Sequence, residues 1–142
     1  MGASGAGAFT GALLLARFGD SPRKGARLLG GFLVLYGSLI LFTLSRNLAF
    51  SLVTLFCAGA ALVTAVSTVN NLLQKYVAPE MRGRVMSMHA TAFLGFVPIG
   101  SLISGALAQS IGAPHALAGL CLVALAVTLL VPLRMPEIMD LA

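Results

Sequence analysis

The sequence predicts an all-α integral membrane protein with five transmembrane helices, and three observations predict it. Of 142 residues, 58% are hydrophobic and only 9% charged, and the mean hydropathy is +0.99. Soluble domains carry about 25% charged residues, so this chain has too little polar surface to face water. Five apolar runs, 2–16, 28–45, 48–73, 86–108 and 115–133, contain no Asp, Glu, Lys or Arg. A charge at mid-bilayer costs about 2.5 to 3.5 kcal/mol on insertion scales, and lipid is the solvent that enforces such exclusion. The runs are continuous rather than alternating, which selects helices over a barrel.

The first run lies within the opening MGASGAGAFTGALLLAR, whose positive charge comes after its apolar stretch. That order lacks the basic start of a signal peptide and predicts a retained span that begins outside the cell. At 1.5 Å per residue it reaches about 24 Å, short of a hydrocarbon core about 30 Å thick, as if the front of a larger protein were missing. Arg17, Arg23, Lys24 and Arg27, with Asp20 among them, separate it from the second run; Arg46 alone follows the second. Lys75, Glu80, Arg82 and Arg84 follow the third, an uncharged turn follows the fourth, and Arg134, Glu137 and Asp140 follow the fifth. The positive-inside rule then places the first and third connections and the carboxyl terminus in the cytoplasm, with the amino terminus outside.

The net charge of +5 does not indicate nucleic acid, because the basic residues are divided among short loops rather than lining one face with aromatic residues between them. Cys57 and Cys121 lie singly inside apolar runs without metal-ligand spacing, so neither a metal, a redox role nor any cofactor is expected. The partners expected from composition are membrane lipids.

Four features inside and between the runs stand out. Thr64, Ser67, Asn70, Asn71 and Gln74 draw one polar stripe toward the cytoplasmic end of the third span, and such a stripe seeks either a cavity or another helix. Gly7 and Gly11 in the first span, and Gly100 and Gly105 with neighbouring serines in the fourth, are small residues spaced for close helix packing. Pro98, between Gly95 and Gly100, predicts a bend there. The second and fifth spans have no polar stripe and are expected to face lipid. In the third connection Pro79 suits the first turn of a short helix, Glu80 favours its positive end, and Arg82 and Arg84 flank a Gly83 that permits close approach.

FGDSPRKGARLL, NNLLQKYVAPEMRGRVMS and GFVPIGSLISGALAQSIGAPHAL resemble, in order, three segments of the major facilitator superfamily. They are similar to the connection between helices eight and nine, the link between ten and eleven, and helix eleven with its turn into twelve. The similarity is to the efflux branch that includes the enterobactin exporter. It implies a partial carboxyl-terminal bundle, helices eight to twelve of a twelve-helix fold, in the bacterial plasma (inner) membrane. It also implies a cavity-lining place for the third span. The resemblance further implies a cytoplasmic latch made of Asp20, Arg23, Lys24, Glu80, Arg82, Gly83 and Arg84, closing against groups of the other half. Ser21-Pro22 departs from the superfamily pattern after Asp20, where a basic residue is more usual.

The function this implies is export of small amphipathic molecules, drug-like or siderophore-like, by a fragment or half of an exporter that would pair with a separate amino-terminal half or form an oligomer. No carboxylate lies within a span to couple protons, and His89 and His115 fall near span ends. A second reading is a non-transporting, truncated membrane protein or helix-packing module. A third is an intramembrane serine protease, since Gly2 to Gly5 reads GASG and His115 begins a span on the same side.

Overall fold

The computed structural model describes residues 2–18 and 24–134, of which the side chains of Phe18, Lys24 and Leu133 are not described. Five α-helices follow one another: α1 (Gly2–Phe18), α2 (Lys24–Leu44), α3 (Leu48–Tyr76), α4 (Arg82–Ile111) and α5 (Ala113–Arg134), with a single 3-10 turn, Pro79–Met81, before α4. No strand occurs among the described residues. Four of these helices, α2 to α5, are long and apolar enough to cross a membrane. The first, at 17 residues, spans about 26 Å and falls short of a full hydrocarbon core.

The connections explain where each helix starts and stops. Asn47 sits in extended conformation before α3, and its side-chain oxygen accepts the backbone N–H of Ala49 at 2.9 Å, which caps the helix. Ser51 Oγ donates to Ser45 Oγ at 2.9 Å across the same short connection. The N–H of Val77 donates to the Leu73 carbonyl and ends α3; Ala78 then turns the chain into Pro79, placed where its missing N–H costs nothing. Gly112 closes α4 with φ of +85°, the one positive φ among the described residues, and donates its N–H to Ala108.

α3 is the hub. It packs against α1 and α2, α2 packs in turn against α5, and α5 against α4, while α4 meets α3 only lightly. Small side chains make the central contacts: Ala58, Gly59, Ala61 and Ala65 of α3 are buried with Thr54 and Thr68, and no large side chain is fully buried. Lipid tails are as apolar as leucine, so helices associate in a bilayer through close van der Waals contact, and small residues allow it. Leu35 joins Ala58 and Ala61 in the main cluster, ringed by Phe32, Tyr36 and Leu39. α2 lies between α3 and α5, with Leu35 and Ser38 buried, while Val34, Leu41 and Leu44 remain exposed.

Gly7 and Gly11 lie in the α1–α3 seam. A Cβ at Gly7 would overlap the Phe56 carbonyl, and one at Gly11 would stand 2.6 Å from the Ala60 carbonyl oxygen. Gly59 is held the same way against the backbone of Ser4. These three close approaches mark where α1 and α3 cross. Around Gly95, Gly100 and Gly105 of α4, by contrast, an added Cβ meets nothing within 4 Å. The helix runs continuously through Pro98.

Candidate functional site

α4 has no buried residue, although it is the longest helix and carries Phe93, Leu94, Phe96, Val97, Leu102 and Ile103 exposed along its length. Because it touches α3 so little, a cleft opens between the two helices with α2 as its back wall. A cavity of about 480 Å³ lies there, lined by Phe32 of α2, Val66, Val69 and Asn70 of α3, and Met86, His89, Ala90, Phe93 and Leu94 of α4.

Two of those side chains are strongly polar, and they arrive at the same depth. Asn70 precedes the end of α3 at Tyr76 by six residues, and His89 follows the start of α4 at Arg82 by seven. The helices are antiparallel and joined by a short link, so both side chains sit about 10 Å inside the helix ends. A carboxamide offers donors and an acceptor, and an imidazole offers one of each when neutral. The cavity thus has an apolar, aromatic body with a hydrogen-bonding pair at one level.

The polar stripe is divided by its neighbours. Thr64 faces a second groove, about 470 Å³, with Gly11 and Leu14 of α1 and Gly30, Gly31 and Val34 of α2. Its hydroxyl donates to the Ala60 carbonyl of its own helix at 2.8 Å, as Thr68 does to Thr64 at 2.7 Å. Ser67 is half-buried. Asn71 and Gln74 are exposed. Only Asn70 of the stripe reaches the cavity beside α4. His89, which the sequence places near the end of the fourth span, also lines this cavity.

Among the residues of the expected latch, Asp20 and Arg23 lie outside the described residues, and Lys24 heads α2 with its side chain undescribed. Glu80 stands in the 3-10 turn, and Arg82, Gly83 and Arg84 form the first turn of α4, all exposed. A Cβ at Gly83 would meet nothing within 4 Å. Ser4 and His115 are not brought together, because α1 packs on α3 and makes no contact with α5 among the described residues. No group of three or more metal-ligating side chains occurs among the described residues.

The whole chain, residues 1–142, matches the family of transmembrane secretion effectors within the major facilitator superfamily. The chain belongs to that family. Compared with curated proteins and with solved structures, it matches none. Membership of the transmembrane secretion effectors agrees with the apolar helical bundle and makes this a multi-pass membrane protein of a transport family.

Proposed function

We propose that this secretion-effector chain is the carboxyl-terminal part of an exporter of small amphipathic molecules, related to the enterobactin-exporter branch, and that the α3–α4 cleft belongs to its substrate pathway. The cavity carries the reading: about 480 Å³ of mainly apolar wall with Asn70 and His89 at one depth. That is the surface an organic molecule with an apolar body and one polar group would meet. Asn71 and Gln74 extend the same path toward the cytoplasm, and Thr64 and Ser67 contribute from the α1 side. Alternating access needs two bundles rocking about a central site, so transport calls for a partner half as well as this one.

The basic ends of the helices face the cytoplasm in this reading. Arg17 ends α1, Lys75 ends α3, Arg82 and Arg84 begin α4 and Arg134 ends α5, all at one end of the bundle, while Arg46 lies at the other. The bacterial plasma membrane and an external amino terminus follow by the positive-inside rule. Glu80, Arg82, Gly83 and Arg84, with Asp20, Arg23 and Lys24, then form the latch that meets the partner half when the cytoplasmic side closes.

A non-transporting helix module is the second reading, favoured by the absence of any buried residue on α4. Efflux of a fluorescent amphipathic dye from cells co-expressing this chain with an amino-terminal half separates the two. The exporter reading predicts efflux that needs both polypeptides and falls about tenfold in Asn70→Leu; no efflux above the empty-vector level with both present supports the second.

A further inference from the structure

We propose that the α3–α4 cavity takes an uncharged aromatic molecule, its ring between Phe32 and Phe93 and its hydrogen-bonding group at Asn70 and His89; this rests on the cleft being a ligand pathway. Charge supplies the first argument. Among the described residues, no Asp, Glu, Lys or Arg lines the cavity. The charged residues next along the two helices, Lys75 and Arg84, lie more than one turn from Asn70 and His89, toward the helix ends. An ion entering this mainly apolar space gives up its water and meets no opposite charge. A neutral hydroxyl, amide or carbonyl instead recovers its hydrogen bonds from the carboxamide and the imidazole.

The aromatic lining supplies the second. Phe32 is held in place before any ligand arrives, because it packs against the buried cluster of Leu35, Ala58 and Ala61. Its ring also lies nearly parallel to that of Tyr36, with 10° between the planes and centroids 6.0 Å apart. A wall already ordered loses little entropy on binding. Phe93 stands exposed on α4, across the cleft from α2, and Met86 lines the cavity from the same helix two turns earlier. Rings pair edge-to-face or offset, and a thioether packs well against a ring edge. Two phenyl rings and a sulfur therefore favour an aromatic body over an alkyl chain.

The chain contains no tryptophan, so Phe93→Trp keeps the aromatic wall and reports from inside the cavity. Leu130→Trp is the reference: Leu130 is exposed, does not line the cavity, and stands about as far from Gly112 along α5 as Phe93 does along α4. Bromine quenches indole at contact. Each chain, in neutral micelles, is titrated with a bromonaphthyl methanol, with the carboxylate and the methylammonium of the same ring, and with bromoundecanol. The excess quenching of Phe93→Trp over Leu130→Trp measures occupancy of the cavity. The naphthyl alcohol should half-saturate that excess at about tenfold lower concentration than either charged analogue, and at about threefold lower concentration than bromoundecanol. In the Phe93→Trp chain, Asn70→Asp should make the methylammonium the tightest of the three naphthyl probes. Phe32→Leu should bring the alcohol to the level of bromoundecanol, with helix content by circular dichroism equal in all. A charged analogue or bromoundecanol that binds as tightly as the naphthyl alcohol overturns the uncharged aromatic ligand and leaves the cleft as a pathway. No excess quenching by any probe overturns both.

Discussion

Gly11 of α1 rests on Ala60 of α3 so closely that a Cβ on the glycine would lie 2.6 Å from the Ala60 carbonyl oxygen and 2.8 Å from its Cα. The obstacle is backbone, which cannot swing aside as a flexible side chain would. Gly11→Leu should therefore separate the two helices and cost at least the 1 to 3 kcal/mol typical of overpacking, ~2 kcal/mol or more. Gly105→Ala, where the added carbon meets nothing within 4 Å, should change stability by no more than about 0.5 kcal/mol. Reversible unfolding in mixed micelles, followed by circular dichroism, compares them; equal losses would show that the seam is not where the bundle is held.

The start of α3 depends on Asn47, whose side chain takes up one of the N–H groups that a helix terminus leaves without an internal partner. Asn47→Ala should destabilise the bundle by about 1 kcal/mol and Asn47→Ser by much less, read in the same unfolding experiment. A neutral Asn47→Ala would mean that water or headgroups satisfy the Ala49 N–H equally well.

Gly112 holds φ of +85° and ψ of 145° between α4 and α5, a region costly for residues with a Cβ. Gly112→Ala should cost about 1 to 3 kcal/mol, although no side chain crowds the position, and this loss should persist in Gly112→Ser. A stability unchanged by either substitution would contradict the turn geometry.

Asn70 and His89 share the cavity while Thr64 turns to another groove, so substitutions along the stripe should separate. Asn70→Leu and His89→Phe should each weaken binding of an amphipathic dye by roughly tenfold, the equivalent of about 1.4 kcal/mol for one hydrogen bond lost to a buried group. Thr64→Val should weaken it less than twofold. Equilibrium fluorescence titration of the chain in micelles reads this directly, and equal effects at all three positions would place the ligand elsewhere.

The helices were legible because charge exclusion is a strong signal: each of the five apolar runs lies inside one of the five helices, except that Ser45 falls just past Leu44. Helix ends were less so. Arg17 and Arg84 are helical although they stop the hydropathic runs, since hydropathy marks where lipid ends and a helix runs on into the headgroups. His89 lines the cavity although hydropathy alone places it near a span end. The neighbours of each helix were not legible: the small residues of α1 and of α4 look alike in sequence, yet Gly11 meets Ala60 while Gly100 and Gly105 meet nothing within 4 Å. A stripe such as Thr64 to Gln74 shows one face of a helix, and the identity of the element opposite depends on contacts between runs distant in the chain. The place of α2 between α3 and α5 had no polar pattern to announce it.

The arrangement of charge at the two ends of the bundle is the claim on which orientation and latch both rest. Single cysteines introduced as Lys75→Cys, Arg134→Cys and Arg46→Cys, in a chain with Cys57 and Cys121 replaced by serine, test it by labelling with a membrane-impermeant maleimide in intact cells and in inverted vesicles. Lys75→Cys and Arg134→Cys should label only in inverted vesicles and Arg46→Cys only in intact cells. Labelling of Lys75→Cys and Arg46→Cys from the same side would contradict it.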